Sequence, residues 1–215
     1  MTDELLIIFA KNPVLGKVKT RIAKQIGDSN ALDIYRALLL HTWEITKDIP
    51  YDKYVFYSDF IDSSDSFDIG YTKQIQSGND LGERMKNAFE YCFKKDYKQI
   101  VIIGSDNYEL TQEMIENAFA KLYKTDIILG PAYDGGYYLL GIKKMHTMIF
   151  ENKQWSTSHI LNQTLKDIKS LKLNCVLMPK LNDIDTLEDI MQYPKFQNLI
   201  KENTSSHCVF RAKAQ

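Results

Sequence analysis

Short apolar runs alternate along the chain with segments whose apolar residues recur every three or four positions. Residues 5–9 form a continuous apolar run, the pattern of a strand buried on both faces. Val18, Ile22, Ala23 and Ile26 then follow at helical spacing, with Gly27 as the C-terminal cap. Residues 31–49 read as a long helix with Ile34, Leu38, Thr42 and Ile45 on one face, and Pro50 lies just beyond it. Residues 54–57 read as a second strand, 59–70 as a polar loop and 74–76 as a short further strand. Asp80 is an N-cap candidate, with Glu83 three residues on as in a capping box. Leu81, Met85, Ala88, Phe89, Cys92 and Phe93 make the buried stripe of the helix that follows. Residues 100–103 are the clearest central strand, and Thr111 starts a helix with Ile115, Ala118, Phe119 and Leu122 inward. Strands at 126–129 and 137–140 flank a Gly-rich link. Residues 156–168 read as a helix, 175–178 as the last strand, and a short helix begins at Thr186.

Leaving the short strand aside, the order is β-α-α-β-α-β-α-β-β-α-β-α. Such alternation predicts an α/β fold with a mostly parallel sheet covered on both faces. The short link before residue 137 predicts one antiparallel element. A length of 215 residues suits one domain. We expect that domain to span 1–200, with 201–215 as a loose tail, because the pattern fades beyond Asn203.

Charge changes this picture at one place. The chain carries 27 basic and 28 acidic side chains, close to neutrality, which argues against a general nucleic-acid or membrane-surface binder. Yet from Leu5 to Gly27 there are five cations, Lys11, Lys17, Lys19, Arg21 and Lys24, and no carboxylate. They gather at the loop between the first strand and the first helix. Cations near a helix N-terminus oppose its dipole, at a cost of about 0.3–1 kcal/mol each. That cost is understandable where the loop holds an anion, and phosphate is the usual one. The partner is expected to be small, since the cluster is local.

No apolar run approaches the roughly 20 residues of a membrane span, and the acidic start of the short N-terminal apolar run is unlike a secretory signal. A cytoplasmic protein is expected. Cys92, Cys175 and Cys208 are odd in number and far apart, so neither a disulfide framework nor a zinc site follows. His41, His146, His159 and His207 show no ligand spacing.

Ligands of open parallel sheets bind beyond the C-terminal ends of the strands. The unusual residues fall there: the basic loop after the first strand, Ser105-Asp106 after the central strand, Asp134 in the Gly130–Gly136 turn, and Asp183-Ile184-Asp185 after the last strand. A cationic loop with several carboxylates at one edge suits a metal–phosphate site, because magnesium takes one or two carboxylates plus phosphate oxygens. Each piece also has a plainer reading: a solvated helix face for the cations, and caps or turns for Asp106, Asp183, Asp185 and Asp134. A P-loop is excluded, since Gly16-Lys17 is followed by Val18, and neither G-x-G-x-x-G nor G-x-S-x-G occurs.

Five segments in order, FAKNPVLGKVKTRIA, QSGNDLGERM, IIGSD, LGPAYDGGYYLLG and DIDTLEDI, resemble the bacterial DUF2064 proteins. These are described as glycosyltransferase-A-like and similar to nucleotide-diphospho-sugar transferases. The resemblance runs from about Leu5 to Ile190. It implies a GT-A, Rossmann-like α/β/α sandwich that binds a nucleotide in its N-terminal half. It implies that Lys11, Lys17, Lys19 and Arg21 wrap the phosphates and that Gln76, Gly78 and Gly82 read the base. Asp106 would hold a divalent ion, Mg²⁺ or Mn²⁺, with Asp185 and Asp183 as further ligands. The acceptor would lie near Asp134, Gly135, Gly136 and Tyr137. In one respect the chain departs from the family: Gly-[ST]-Asp-Cys-Pro becomes Gly104-Ser105-Asp106-Asn107-Tyr108, keeping the carboxylate and losing the proline-fixed turn.

The expected activity is metal-dependent transfer from a nucleotide-activated substrate to a small-molecule acceptor, first of all from a nucleotide-sugar. Lys17 and Arg21 would stabilise phosphate charge, and Asp134 would orient or deprotonate the acceptor. The alternatives are nucleotidyl transfer from a triphosphate to a phosphorylated acceptor, a nucleotide-binding module without catalysis, and an interaction scaffold.

Overall fold

In the computed structural model, which describes residues 2–200, seven strands form one sheet in the order β3-β2-β1-β4-β6-β5-β7. The strands are β1 (Glu4–Ala10), β2 (Asp52–Tyr57), β3 (Tyr71–Ile75), β4 (Gln99–Gly104), β5 (Ile127–Pro131), β6 (Tyr137–Ile142) and β7 (Cys175–Leu177). All neighbouring pairs are parallel except those of β6, which is antiparallel to both β4 and β5. The expected antiparallel element is therefore β6, inserted between two parallel neighbours by the Gly-rich link. The helices are α1 (Thr20–Ile26), α2 (Asp28–Thr46), α3 (Leu81–Phe93), α4 (Gln112–Leu122), α5 (Ile160–Ser170) and α6 (Leu187–Ile190).

The period of two along β1 sorts its side chains to two cores. Leu6, Ile8 and Ala10 pack on the face covered by α2 and α4, where Trp43, Ile115, Phe119 and Leu122 meet them. Leu5 and Ile7 pack on the opposite face with Met85, Phe89 and Cys92 of α3 and Ile168 of α5. Three layers result. Burying each of these aliphatic side chains is worth about 1.5–3 kcal/mol, which makes β1 and β4 the rigid centre that carries the loops beyond them.

Several boundaries differ from those the pattern suggests. Gly27 has φ of 85°, so the chain turns sharply and α2 begins at once, at Asp28. The helix stops at Thr46, ahead of Pro50 and the residue it restricts. Strand β3 starts at Tyr71, because the whole run Tyr71–Ile75 pairs with Lys53–Tyr57. The helix expected from residue 156 starts only at Ile160, since Ser156 has φ of 61° and breaks it. Thr111 and Asp80 are N-caps, each accepting the backbone N–H three residues on. The Glu83 carboxylate reaches back to the N–H of Asn79, one residue past the N-cap, so the capping box does not close. The closed box is at α6, between Thr186 and Asp189. The predicted loose tail, with His207 and Cys208, lies outside the described residues.

Candidate active site

The loop after β1 is held in place before any ligand arrives. Asn12 is buried, and its side-chain oxygen accepts from the N–H groups of Asp59 and Phe60 at 3.0 and 3.2 Å. Its amide nitrogen donates to the carbonyl of Phe60 at 2.8 Å. This one side chain ties the exit of β1 to the exit of β2. The buried hydroxyl of Tyr35, on α2, accepts from the N–H of Lys11 at 2.7 Å and lies 3.0 Å from its carbonyl oxygen and 3.1 Å from Ser105 Oγ. Burial, with Asp106 nearby, holds this phenol far above its ordinary range, so it stays protonated and can act as donor. Tyr35 therefore joins the loop after β1 to the loop after β4.

The acidic half is assembled by a strand-like crossing of the segment after β7. Asn107 and Asp183 form an isolated antiparallel bridge, and the N–H of Ile184 donates to the carbonyl of Asp106 at 3.1 Å. Asn107 uses all its polar capacity. Its amide nitrogen donates to Asn182 O and Asp183 Oδ1 at 3.2 and 3.1 Å, and its oxygen accepts from the N–H groups of Glu109 and Leu110 at 3.0 and 2.8 Å. Tyr108 packs against Tyr193 and Phe196 at centroid distances of 5.1 and 4.8 Å. Here hydrogen bonds and ring packing hold the turn that a Cys-Pro pair would hold by covalent geometry.

Lys19 joins the two halves. Its ammonium donates to Asp106 Oδ1 and to Asp185 Oδ1, both at 3.0 Å, and its side chain is only 5% exposed. Burial lowers its proton affinity, but Asp106 and Asp185 more than offset this and the pKa is raised, so the group is a fixed cation. Its backbone is left-handed, with φ of 48° and ψ of 42°. That conformation costs a non-glycine residue about 1–2 kcal/mol, and here it turns the side chain inward at the start of α1. Arg21, which is 76% exposed, lies 3.8 Å from the second oxygen of Asp185.

Lys11, Lys17, Lys19, Arg21, Asp106 and Asp185 line one cavity of about 250 Å³, with Tyr35 and Ser156. It adjoins a larger cleft of about 540 Å³ that runs past Gln76, Arg84 and Trp155 to Asp134, Tyr137 and Asp183. Burial raises the pKa of Asp183 to about 7; the hydrogen bond from Asn107 opposes this, and Asp106 and Asp134 reinforce it. No group of three or more His, Cys, Asp or Glu side chains suited to a metal is present among the described residues. Asp106 and Asp185 are instead a pair converging on one cation position. A pair fits magnesium or manganese, which complete their shells with phosphate oxygens and water.

The predicted residues thus fall along one sheet edge, but in different settings. Gln76 lines the cleft, yet its amide nitrogen donates to the carbonyls of Phe56 and Ala10 at 2.9 and 3.3 Å, joining strand ends. Gly78 has φ of 142°, and a Cβ there would come within 2.8 Å of the Arg84 nitrogen. Gly82 leaves room for Trp155, whose indole nitrogen would be 2.0 Å from an added Cβ. Asp134 is exposed, and its carboxylate accepts from the N–H of Gly136 at 2.8 Å across the hairpin turn. Gly135, at φ of 90°, lets that turn dock on Ser158, whose carbonyl would be 2.1 Å from a Cβ. Asn12, Tyr35 and Trp155 are the site residues that sequence reasoning passed over, and Asn107 was seen there only as a departure from the family's pattern. Tyr35 sits inside an apolar helix stripe, and no local signal distinguishes it from core.

The model of a bacterial family described as "uncharacterized protein conserved in bacteria (DUF2064)" matches residues 42–157, just over half of the chain. The chain belongs to the DUF2064 family. A crystal structure from Desulfovibrio desulfuricans G20, described as a candidate nucleotide-diphospho-sugar transferase, is 28% identical with a TM-score of 0.86, over 95% of this chain and 96% of that one. A cytidylyltransferase from Leptospira borgpetersenii is 16% identical with a TM-score of 0.55, over 95% and 96% of the two chains. Rv0371c from Mycobacterium tuberculosis H37Rv, in complex with manganese, is 10% identical with a TM-score of 0.52, over 93% and 99%. The last two likenesses are of fold alone. No curated protein matches the chain. No helix among the described residues of this DUF2064 protein is long and apolar enough to cross a membrane.

Proposed function

We propose that this DUF2064 protein transfers a group from a nucleotide-activated substrate, a nucleotide-sugar, to a small acceptor. The observation that carries the reading is the meeting of Lys11, Lys17, Lys19 and Arg21 with Asp106 and Asp185 around one cavity. Cations beside a convergent carboxylate pair suit a diphosphate and its divalent ion. Asp106 and Asp185 would hold magnesium or manganese, which when bound supplies positive charge beside the departing diphosphate. Lys17 and Arg21 bind phosphate oxygens, Lys11 closes the strand end, and the nucleoside extends along the cleft past Gln76 and Arg84. Asp134 and Asp183 border the acceptor end, where Asp134 orients the attacking hydroxyl or takes its proton.

One feature favours glycosyl over nucleotidyl transfer. Besides the cations Lys11, Arg21 and Arg84, which come from the loop after β1, from α1 and from α3, the large cleft carries Asp134 and Asp183 in its lining. A phosphorylated acceptor would meet carboxylates there. Nucleotidyl transfer stays as the second reading because the fold is also that of a cytidylyltransferase.

A thermal-shift panel of nucleotide-sugars and nucleoside triphosphates, each with and without Mg²⁺, tests the reading. Nucleotide-sugars with Mg²⁺ should raise Tm, and product formation with the stabilising donor should fall about 10²–10³-fold in Asp106→Ala. Stabilisation by triphosphates alone would sink glycosyl transfer. Binding without product for any acceptor would favour a nucleotide-binding module.

A further inference from the structure

Lys19 stands where the proposed metal ion would stand. Both of its partners offer Oδ1 to the same nitrogen at 3.0 Å, and these are the two carboxylates that converge on one position. The side chain is almost fully enclosed, at 5% exposure, and the left-handed backbone at φ of 48° aims it there. A phosphate-binding lysine would need neither feature. We propose that Lys19 is a built-in counter-cation that keeps the carboxylate pair neutralised and closed to divalent metal until nucleotide phosphate draws its ammonium away.

The charges favour such an exchange. With Lys19 in place and Arg21 3.8 Å from Asp185, the charge of the two carboxylates is already balanced, and a dication entering as well would face a cation at contact distance. Removing the ammonium leaves Asp106 without its ion-pair partner and Asp185 with only the exposed Arg21 at 3.8 Å, an arrangement costly to the protein and attractive to a dication. The ammonium also has a destination. The cavity of about 250 Å³ that it lines is bordered by Lys11, Lys17 and Arg21, the group suited to phosphate. A diphosphate arriving there offers Lys19 new anionic partners and offers the metal its remaining oxygen ligands. Metal and nucleotide would therefore enter together, and metal alone would bind poorly.

This inference rests on the assignment of Asp106 and Asp185 as the metal pair, but its test needs no substrate or turnover. Mn²⁺ binding to the full chain is titrated by electron paramagnetic resonance, with no nucleotide, for wild type and Lys19→Met. The variant should bind Mn²⁺ at least tenfold more tightly than wild type. Equal affinity, or no binding to either protein, would overturn the proposal. If Lys19→Met does not fold by circular dichroism, Lys19→Gln serves under the same criteria. Failure of the nucleotide-sugar panel with a tenfold gain here would sink the donor assignment and leave the lysine's role standing.

Discussion

The two halves of the cleft are built by different means. On the basic half, Lys11 and Lys17, on the loop after β1, and Arg21, in the first turn of α1, are exposed side chains, and the loop's backbone is clamped by Asn12 and Tyr35. The scaffold is rigid and the charges are free to reach a ligand. On the acidic half the charges are themselves part of the scaffold. Asp183 is bound by Asn107, and Asp106 and Asp185 are bound by Lys19. The contrast teaches that cations of one sequence cluster need not share one task. Lys19 is two residues from Lys17 and Arg21, yet it serves the carboxylates while they face the cavity.

Three substitutions sharpen the contrast. The largest effect is expected on the acidic half, at Asp183. Its folded pKa of about 7 is raised above the ordinary carboxylate value, so the fold binds the proton more tightly than the unfolded chain does. Its contribution is fully present below pH 4 and is lost as pH rises through about 7. Asp183→Asn should therefore be more stable than wild type by about 1–3 kcal/mol at pH 8, with the gap closing toward pH 4. Urea unfolding in EDTA at both pH values measures this, and a gap that widens on acidification would contradict it. Tyr35→Phe removes the hydroxyl shared by both halves and leaves the N–H of Lys11 without its partner. A loss of about 1–2 kcal/mol is expected at neutral pH, with weaker nucleotide binding because the loop loses its clamp. A variant with unchanged stability and affinity would show that the halves are not coupled through Tyr35. Arg21→Ala should change stability by less than about 0.5 kcal/mol, since its 3.8 Å pair with Asp185 is exposed. Nucleotide affinity should still fall, and calorimetric titration with a nucleoside diphosphate would read it. A large stability loss there would make Arg21 a scaffold residue like Lys19.

Much of the layout was legible because it follows from periodicity. Continuous apolar runs marked β1 and β4, a 3.6-residue period marked α2 to α4, and the Gly-rich link marked the antiparallel β6. The edge strand β3 was only partly legible, because an edge strand buries too little to show a pattern. Asp106, Asp134, Asp183 and Asp185 were legible as residues after strands, since that position in a parallel sheet faces the ligand edge.

By itself, the sequence determined the class of fold, the edge at which the chemistry gathers and the local stripping of negative charge from the first loop. Those properties are written in the order and spacing of neighbours. Only the tertiary structure decided which groups meet. Lys19 reaches Asp185 across 166 positions and Asn107 reaches Asp183 across 76, contacts made when β7's exit crosses the exit of β4. Spacing along the chain carries no signal for such pairs. Their bonding is set by sheet order, by burial and by a single left-handed residue, and these turned one lysine of a cationic loop into the partner of two carboxylates.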